Sequence, residues 1–238
     1  MKKAVSMLLA GMMILTLAAC GSQPASASQS ASTPQPASAS QPTSASQPAP
    51  TESTTEQPEQ NGEGSKTLIV YFTPANSDTA DAVSGATPRT DGLSSVEYLV
   101  QKISAQVSAD AAKIVPVNTY PLPYQETADL ALEQQHANER PAFTLDVNPE
   151  EYDVLFIGYP VWWYHLPMIM QTFFDTYDFS GKTIIPFNTH QGSRDSGTYK
   201  DIAGLEPDAL VLEGLNVNGE RVESADSSVK DWLNKLGY

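Results

Sequence analysis

The stretch YDVLFIGYPVWWYHLP, residues 152–167, decides the fold. Its first half is a continuous apolar run. Such a run reads as a strand covered on both faces, as in a parallel sheet between helices. Its second half sets Trp162, Trp163 and Tyr164 just past the strand's carboxyl end, between Pro160 and Pro167. Neighbours in an extended chain point to opposite faces, so the two tryptophans cannot easily fill one core pocket. That much aromatic surface at a strand tip predicts a wall for a ligand.

Strand and helix patterns alternate on either side. KTLIVYF (66–72), AAKIVPV (111–117), KTIIPFN (182–188) and ALVLEGLNV (209–217) read as strands. Val96, Leu99, Val100, Ile103 and Val107 recur at helical spacing behind Ser94 or Ser95 as N-cap, with Glu97 in the first turn. Residues 124–140, 166–177, 198–205 and 225–237 are the other expected helices. This is a doubly wound α/β domain with about five parallel strands. Ligands of such sheets bind outside the carboxyl ends of the strands. Three loops there are unusual: 73–95, 160–165 and 189–197.

The folded part does not begin at residue 1. Lys2 and Lys3 precede the apolar run AVSMLLAGMMILTLAA, which reads as an export signal over 1–19, too short for a mature membrane span. It ends in LTLAAC, which resembles a bacterial lipoprotein box with Cys20 as the lipidated residue. Cys20 is the only cysteine, so no disulfide can form within the chain. Residues 21–65 hold 11 Ser, 7 Pro, 7 Ala and 7 Gln, and no Leu, Ile, Val or aromatic residue. Such a segment cannot offset the entropy of folding, so 20–65 reads as a lipidated, disordered tether. The expected domain is 66–238, on the outer side of the bacterial membrane and held there by lipid alone. It carries 24 acidic and 11 basic residues, a formal charge of −13. That argues against nucleic acid as a partner.

The run GYPVWWYHLPMIMQTFFDTYDFSGKTIIPFNTHQGS (158–193), with LIVYFT before it and VKDWLNKLG after it, resembles a branch of the flavodoxin family marked by G-Y-P-x-W-W and T-x-x-G-S loops. The resemblance spans essentially all of 66–238. It implies strand order 2-1-3-4-5, noncovalently bound FMN, and electron transfer to a redox partner protein or a small acceptor. An FMN-dependent reductase of quinone type is the alternative, as is a degenerate flavodoxin fold that binds a non-flavin ligand or a partner.

The resemblance assigns the site residues. Pro160, Val161, Trp162, Trp163 and Tyr164 form an aromatic clamp on the ring. Thr189, His190, Gln191, Gly192 and Ser193 approach its other edge. YPLPYQ (120–125) reads as a turn and lid over the ring edge, or its tyrosines as surface packing. Thr73, Pro74, Ala75 and Asn76 open the phosphate loop. Many flavodoxins run that loop straight into a helix, whereas here about twenty residues intervene. Ser94, Ser95 and Val96 then take the places of a Gly-Asn-Thr run at the helix start, where backbone N–H groups suit a phosphate. DAVSGAT (81–87) also resembles the motif at which a flavin transferase joins FMN to a threonine, here Thr87. The same run occurs as ordinary insert sequence in this branch, so the expected attachment is noncovalent. His136, His165 and His190 have neither cysteine partners nor metal-ligand spacing. GSRDSG is not the G-x-S-x-G of a hydrolase.

Overall fold

Strand β1 (Thr67–Phe72) and strand β4 (Val154–Pro160) lie side by side at the centre of a parallel sheet, with Leu68 opposite Leu155 and Val70 opposite Ile157. The structure is a computed structural model and describes residues 65–74, 89–121 and 123–238. The expected signal, Cys20 and the tether lie outside the described residues, as do Ala75, Asn76 and Thr87.

The sheet order is β3-β2-β1-β4-β5-β6, with β7 also on β5. Its further strands are β2 (Asp110–Pro116), β3 (Phe143–Thr144), β5 (Thr183–His190), β6 (Leu210–Val211) and β7 (Leu215–Asn218). All pairings are parallel except β3 on β2. The expected order survives as β2-β1-β4-β5 with β6 and β7 at the far edge. Among the described residues the sheet has seven strands, against about five expected. The two-residue β3 is too short to show a pattern. The single strand expected at 209–217 is split. The Ile184 carbonyl accepts from Leu212 N–H at 2.9 Å. Two residues on, on the same side, Pro186 has no N–H to continue the ladder. The edge therefore breaks at Glu213 and Gly214 and resumes opposite Phe187.

Helices α1 (Ser95–Ser104) and α5 (Asp226–Leu236) cover one face. Helices α2 (Tyr124–Ala137), α3 (Met168–Thr176) and α4 (Thr198–Leu205) cover the other. Strand alternation sorts the core between them. Leu68, Val70, Phe72, Leu155, Ile157 and Tyr159 face the α2–α4 layer, and Ile69, Phe156, Ile185 and Phe187 face α1 and α5. Among the described residues, no helix is long and apolar enough to cross a membrane.

Gly158 sits where Phe187 needs room. A Cβ at Gly158 would lie 2.3 Å from Phe187 Cζ, well inside van der Waals contact. Glycine at this position therefore lets a large ring pack across the β4–β5 pair. Gly158→Ala should destabilise the fold by about 1–3 kcal/mol through overpacking. Thermal melts of Gly158→Ala and of Gly158→Ala with Phe187→Leu test this: the second change should restore part of the loss. Equal melting of Gly158→Ala and wild type would refute the steric account.

Candidate functional site

The loops that follow β4 and β5 open onto one cleft. The β4 ladder runs into its loop, because Val161 N–H donates to Thr189 O at 2.8 Å. The chain then reverses in a two-residue hairpin. Trp162 N–H donates to His165 O at 3.1 Å, and His165 N–H to Trp162 O at 2.8 Å. Trp163 and Tyr164 occupy the turn with φ of +47° and +63°. Paired positive φ is the requirement of a type I′ hairpin, which ordinarily selects Asn-Gly. A bulky residue there costs about 1–3 kcal/mol.

Two aromatic residues accept that conformation because the residue before them is buried. Trp162 is only 3 % exposed. Its indole meets Phe72 and Tyr120 edge-on, with centroids 5.3 and 5.1 Å away. This corrects the expectation for Trp162, whose ring belongs to the core and not to the clamp. The turn then carries Trp163 outward, 38 % exposed, with its Nε1 donating to Ala128 O at 2.8 Å. That bond fixes the indole plane against α2.

Trp163, Tyr164, Val161, Tyr124, Gln191, Gly192 and Ser193 line a cleft of about 430 Å³. Six of these were expected from sequence. Tyr124, the first residue of α2, was read only as part of a lid or of surface packing. Its neighbour Tyr120 is buried, with its hydroxyl donating to Gln134 Oε1 at 3.1 Å. Pro160 and Thr189 are buried partners in the β4–β5 ladder and support the walls without forming them.

The β5 loop is braced from below. Tyr159 and Thr198 hydroxyls pair at 2.8 Å, and Thr198 Oγ1 donates to Asp195 O at 2.7 Å. The Tyr199 hydroxyl donates to Asn188 Oδ1, and Asn188 Nδ2 donates to Arg194 O at 3.2 Å. Burial pushes both tyrosine hydroxyls far above the ordinary tyrosine range, so they stay protonated. Sequence reading passed over these four residues. The available signal was a polar Tyr159 and Asn188 at the ends of apolar strands, since buried polar groups need partners.

At the end of β1, Thr73 and Pro74 are buried. Across from them, Ser94 caps α1: its hydroxyl accepts from Glu97 N–H at 3.0 Å, and its own N–H donates to Glu97 Oε2 at 2.9 Å. Burial opposes the Glu97 charge. The Ser94 N–H and the Lys113 ammonium, 2.9 Å from Oε1, outweigh that and hold the carboxyl below its usual range. Ser94 is thus committed to the helix cap rather than to a ligand. Val96 is fully buried against the α1–α5 core. The hydroxyls of Thr73 and Ser95 are different. Both are fully buried, and neither has a hydrogen-bond partner. Leaving such a group unmade costs about 1–3 kcal/mol. Two of them, one beside the strand end and one in the first turn of a helix, suit an anion that the helix N-terminus also favours.

The approach to that turn is latched by Arg89. Its guanidinium lies 3.9 Å over the Tyr98 ring and pairs with Asp91 at 2.6 Å and Glu223 at 3.1 Å. Sequence reading did not single out this residue. Among the described residues, no group of three or more His, Cys, Asp or Glu side chains is placed to hold a metal ion.

A family model described as flavodoxin matches residues 92–236. A protein from Bacteroides uniformis described as a flavoprotein is 26% identical, with a TM-score of 0.56 over 72% of this chain and 99% of that one. A second, from Bacteroides eggerthii, is 25% identical, with a TM-score of 0.55 over 73% of this chain and 99% of that one. A flavoprotein of Lactobacillus acidophilus in complex with FMN is 20% identical, with a TM-score of 0.48 over 67% of this chain and 97% of that one. No curated protein matches the chain. By the family match over 92–236 and the order of its parallel strands, this chain belongs to the flavodoxin family.

Proposed function

We propose that this protein is an FMN-dependent electron-transfer protein, exported and held on the outer side of the bacterial membrane by lipid on Cys20. The observation that carries the FMN reading is the pairing of an aromatic cleft with the two unpartnered buried hydroxyls of Thr73 and Ser95. A flat ring binds well against aromatic faces, and a phosphate supplies the acceptors those hydroxyls lack. FMN, when bound, supplies one- and two-electron redox chemistry. Trp163 offers a fixed indole wall, Tyr124 and Tyr164 close the sides, and Gln191 and Ser193 present polar groups to the ring edge. Tyr164 is 71 % exposed, so the cleft stays open along that side. A carrier needs such an opening for its partner protein. A small acceptor of quinone type could use the same opening, which keeps the reductase as the second reading.

The export and anchoring rest on the sequence: two lysines, a short apolar run, a small-residue site abutting a lone Cys20, then a polar tether. Attachment is by lipid alone in this reading. A single acyl chain anchors only marginally, whereas several chains on Cys20 anchor stably.

Three outcomes follow. Thr73→Val and Ser95→Ala should raise the melting temperature of the apoprotein by removing an orphaned hydroxyl, yet weaken FMN binding about tenfold. Isothermal titration beside thermal melts reads both signs. Unchanged FMN affinity in both variants would refute the phosphate assignment. Trp163→Ala should weaken flavin binding tenfold or more while the fold persists, whereas Trp162→Ala should cost about 3–5 kcal/mol of stability. The reverse pattern in paired binding and melting experiments would overturn the division of labour. In a bacterial host the protein should enter the detergent phase, and Cys20→Ser should abolish this. Retention of the processed Cys20→Ser protein in that phase would contradict lipid anchoring.

A further inference from the structure

His190 closes β5 directly beneath the cleft and is nearly buried, 7 % exposed. It does not line the cleft. Instead its Nδ1 accepts the Gly192 N–H at 2.9 Å. An imidazole nitrogen that accepts carries no proton, so the ring is neutral with its proton on Nε2. The Asn216 side chain of β7 hydrogen-bonds the imidazole as well. The bond to Gly192 spans a tight turn: Gly192 has φ +107°, and Arg194, Ser196 and Gly197 follow at +58°, +52° and +82°. Gln191, on the same turn, reaches Glu220 Oε1 at 3.4 Å. The turn so held presents Gln191, Gly192 and Ser193 to the cleft.

We propose that His190 is a positioning residue for the flavin ring: its neutral imidazole holds the Gly192 N–H inward and fixes the turn that meets the ring edge, so that protonation of His190 and flavin occupancy oppose each other. This rests on the flavin reading above. A proton on Nδ1 would set two donors face to face, and the turn would have to open. The Gly192 N–H is also thereby spent, so ring recognition falls to Gln191 and Ser193.

The surroundings keep the imidazole neutral. Burial is the main cause of its lowered pKa, and the Arg194 guanidinium adds to it. The Asp195 carboxylate and the Asn216 bond oppose them. Glu220, on the adjoining 3-10 turn, is the other charged group at this loop. Pro160 at the end of β4 and Val161 just past it do not titrate. A group with a depressed pKa in the competent state favours that state above its free value near 6.5 and loses the benefit as pH falls through the lower one.

The test is riboflavin binding to the full chain between pH 7.5 and 4.5, followed by flavin fluorescence. Riboflavin carries no phosphate, so the ligand itself does not titrate in this range. Wild type should lose at least tenfold in affinity over the span. His190→Asn places a non-titrating acceptor near the Nδ1 position, and should bind within a few-fold of wild type with a flat profile. His190→Phe should bind weakly at every pH. In case the variants fold poorly, the wild-type apoprotein gives a second reading by NMR. The Gly192 amide resonance should move with the His190 titration, and its exchange protection should vanish below it. Equal pH slopes in wild type and His190→Asn, or a Gly192 amide indifferent to His190, would overturn the proposal alone. No riboflavin or FMN binding to wild type at pH 7.5 would overturn the flavin reading and this proposal with it.

Discussion

The site depends on the burial of Trp162. A Trp side chain taken out of water removes about 150–250 Å², worth roughly 4–6 kcal/mol at about 25 cal/mol per Å². Edge-on contacts with Phe72 and Tyr120 add about 0.5–1.5 kcal/mol each. That is enough to offset the left-handed turn at Trp163 and Tyr164, at about 1–3 kcal/mol per residue. With Trp162 anchored, the left-handed turn that follows carries Trp163 to the cleft, and the hydrogen bond to Ala128 O sets its plane. A core contact therefore determines the geometry of a cleft wall.

The β5 loop obeys the same logic with polar groups. Asn188, Tyr199, Tyr159 and Thr198 form a buried network under a turn with four positive φ values among residues 192–197. Each bond is modest in net terms, but a buried polar atom left unpaired is expensive. The loop is thus held to one shape before any ligand arrives. Among the described residues, the buried side-chain hydroxyls left without a partner are those of Thr73, just past β1, and Ser95, in the first turn of α1.

Much of this was legible in the sequence. The apolar run at 152–160, the helical spacing from Val96 to Ile103 and the capping pair Ser94 and Glu97 each specify their element locally. The cleft was legible through its aromatic residues at a strand tip. What was not legible depends on contacts between distant segments. Alternation said that Trp162 and Trp163 part ways, but not which goes inward. That is decided by Phe72 and Tyr120 from other elements. The break between β6 and β7 is set by Pro186 on the neighbouring strand. Ser94 reads equally as a cap or as a phosphate ligand until the Lys113–Glu97 pair fixes it as a cap. His190 reads as a ring contact until its bond to Gly192 places it beneath the turn.

The central claim is that a wall fixed by a buried tryptophan, together with two orphaned hydroxyls, holds FMN without a covalent bond. The most direct measurement is the absorption spectrum of the full chain after reconstitution with FMN and gel filtration, repeated on the supernatant after acid precipitation. This account predicts a flavin spectrum at about one FMN per chain, with all of it released to the supernatant and the mass of the denatured chain unchanged. A colourless protein, or a denatured chain heavier by one FMN less water, would contradict it.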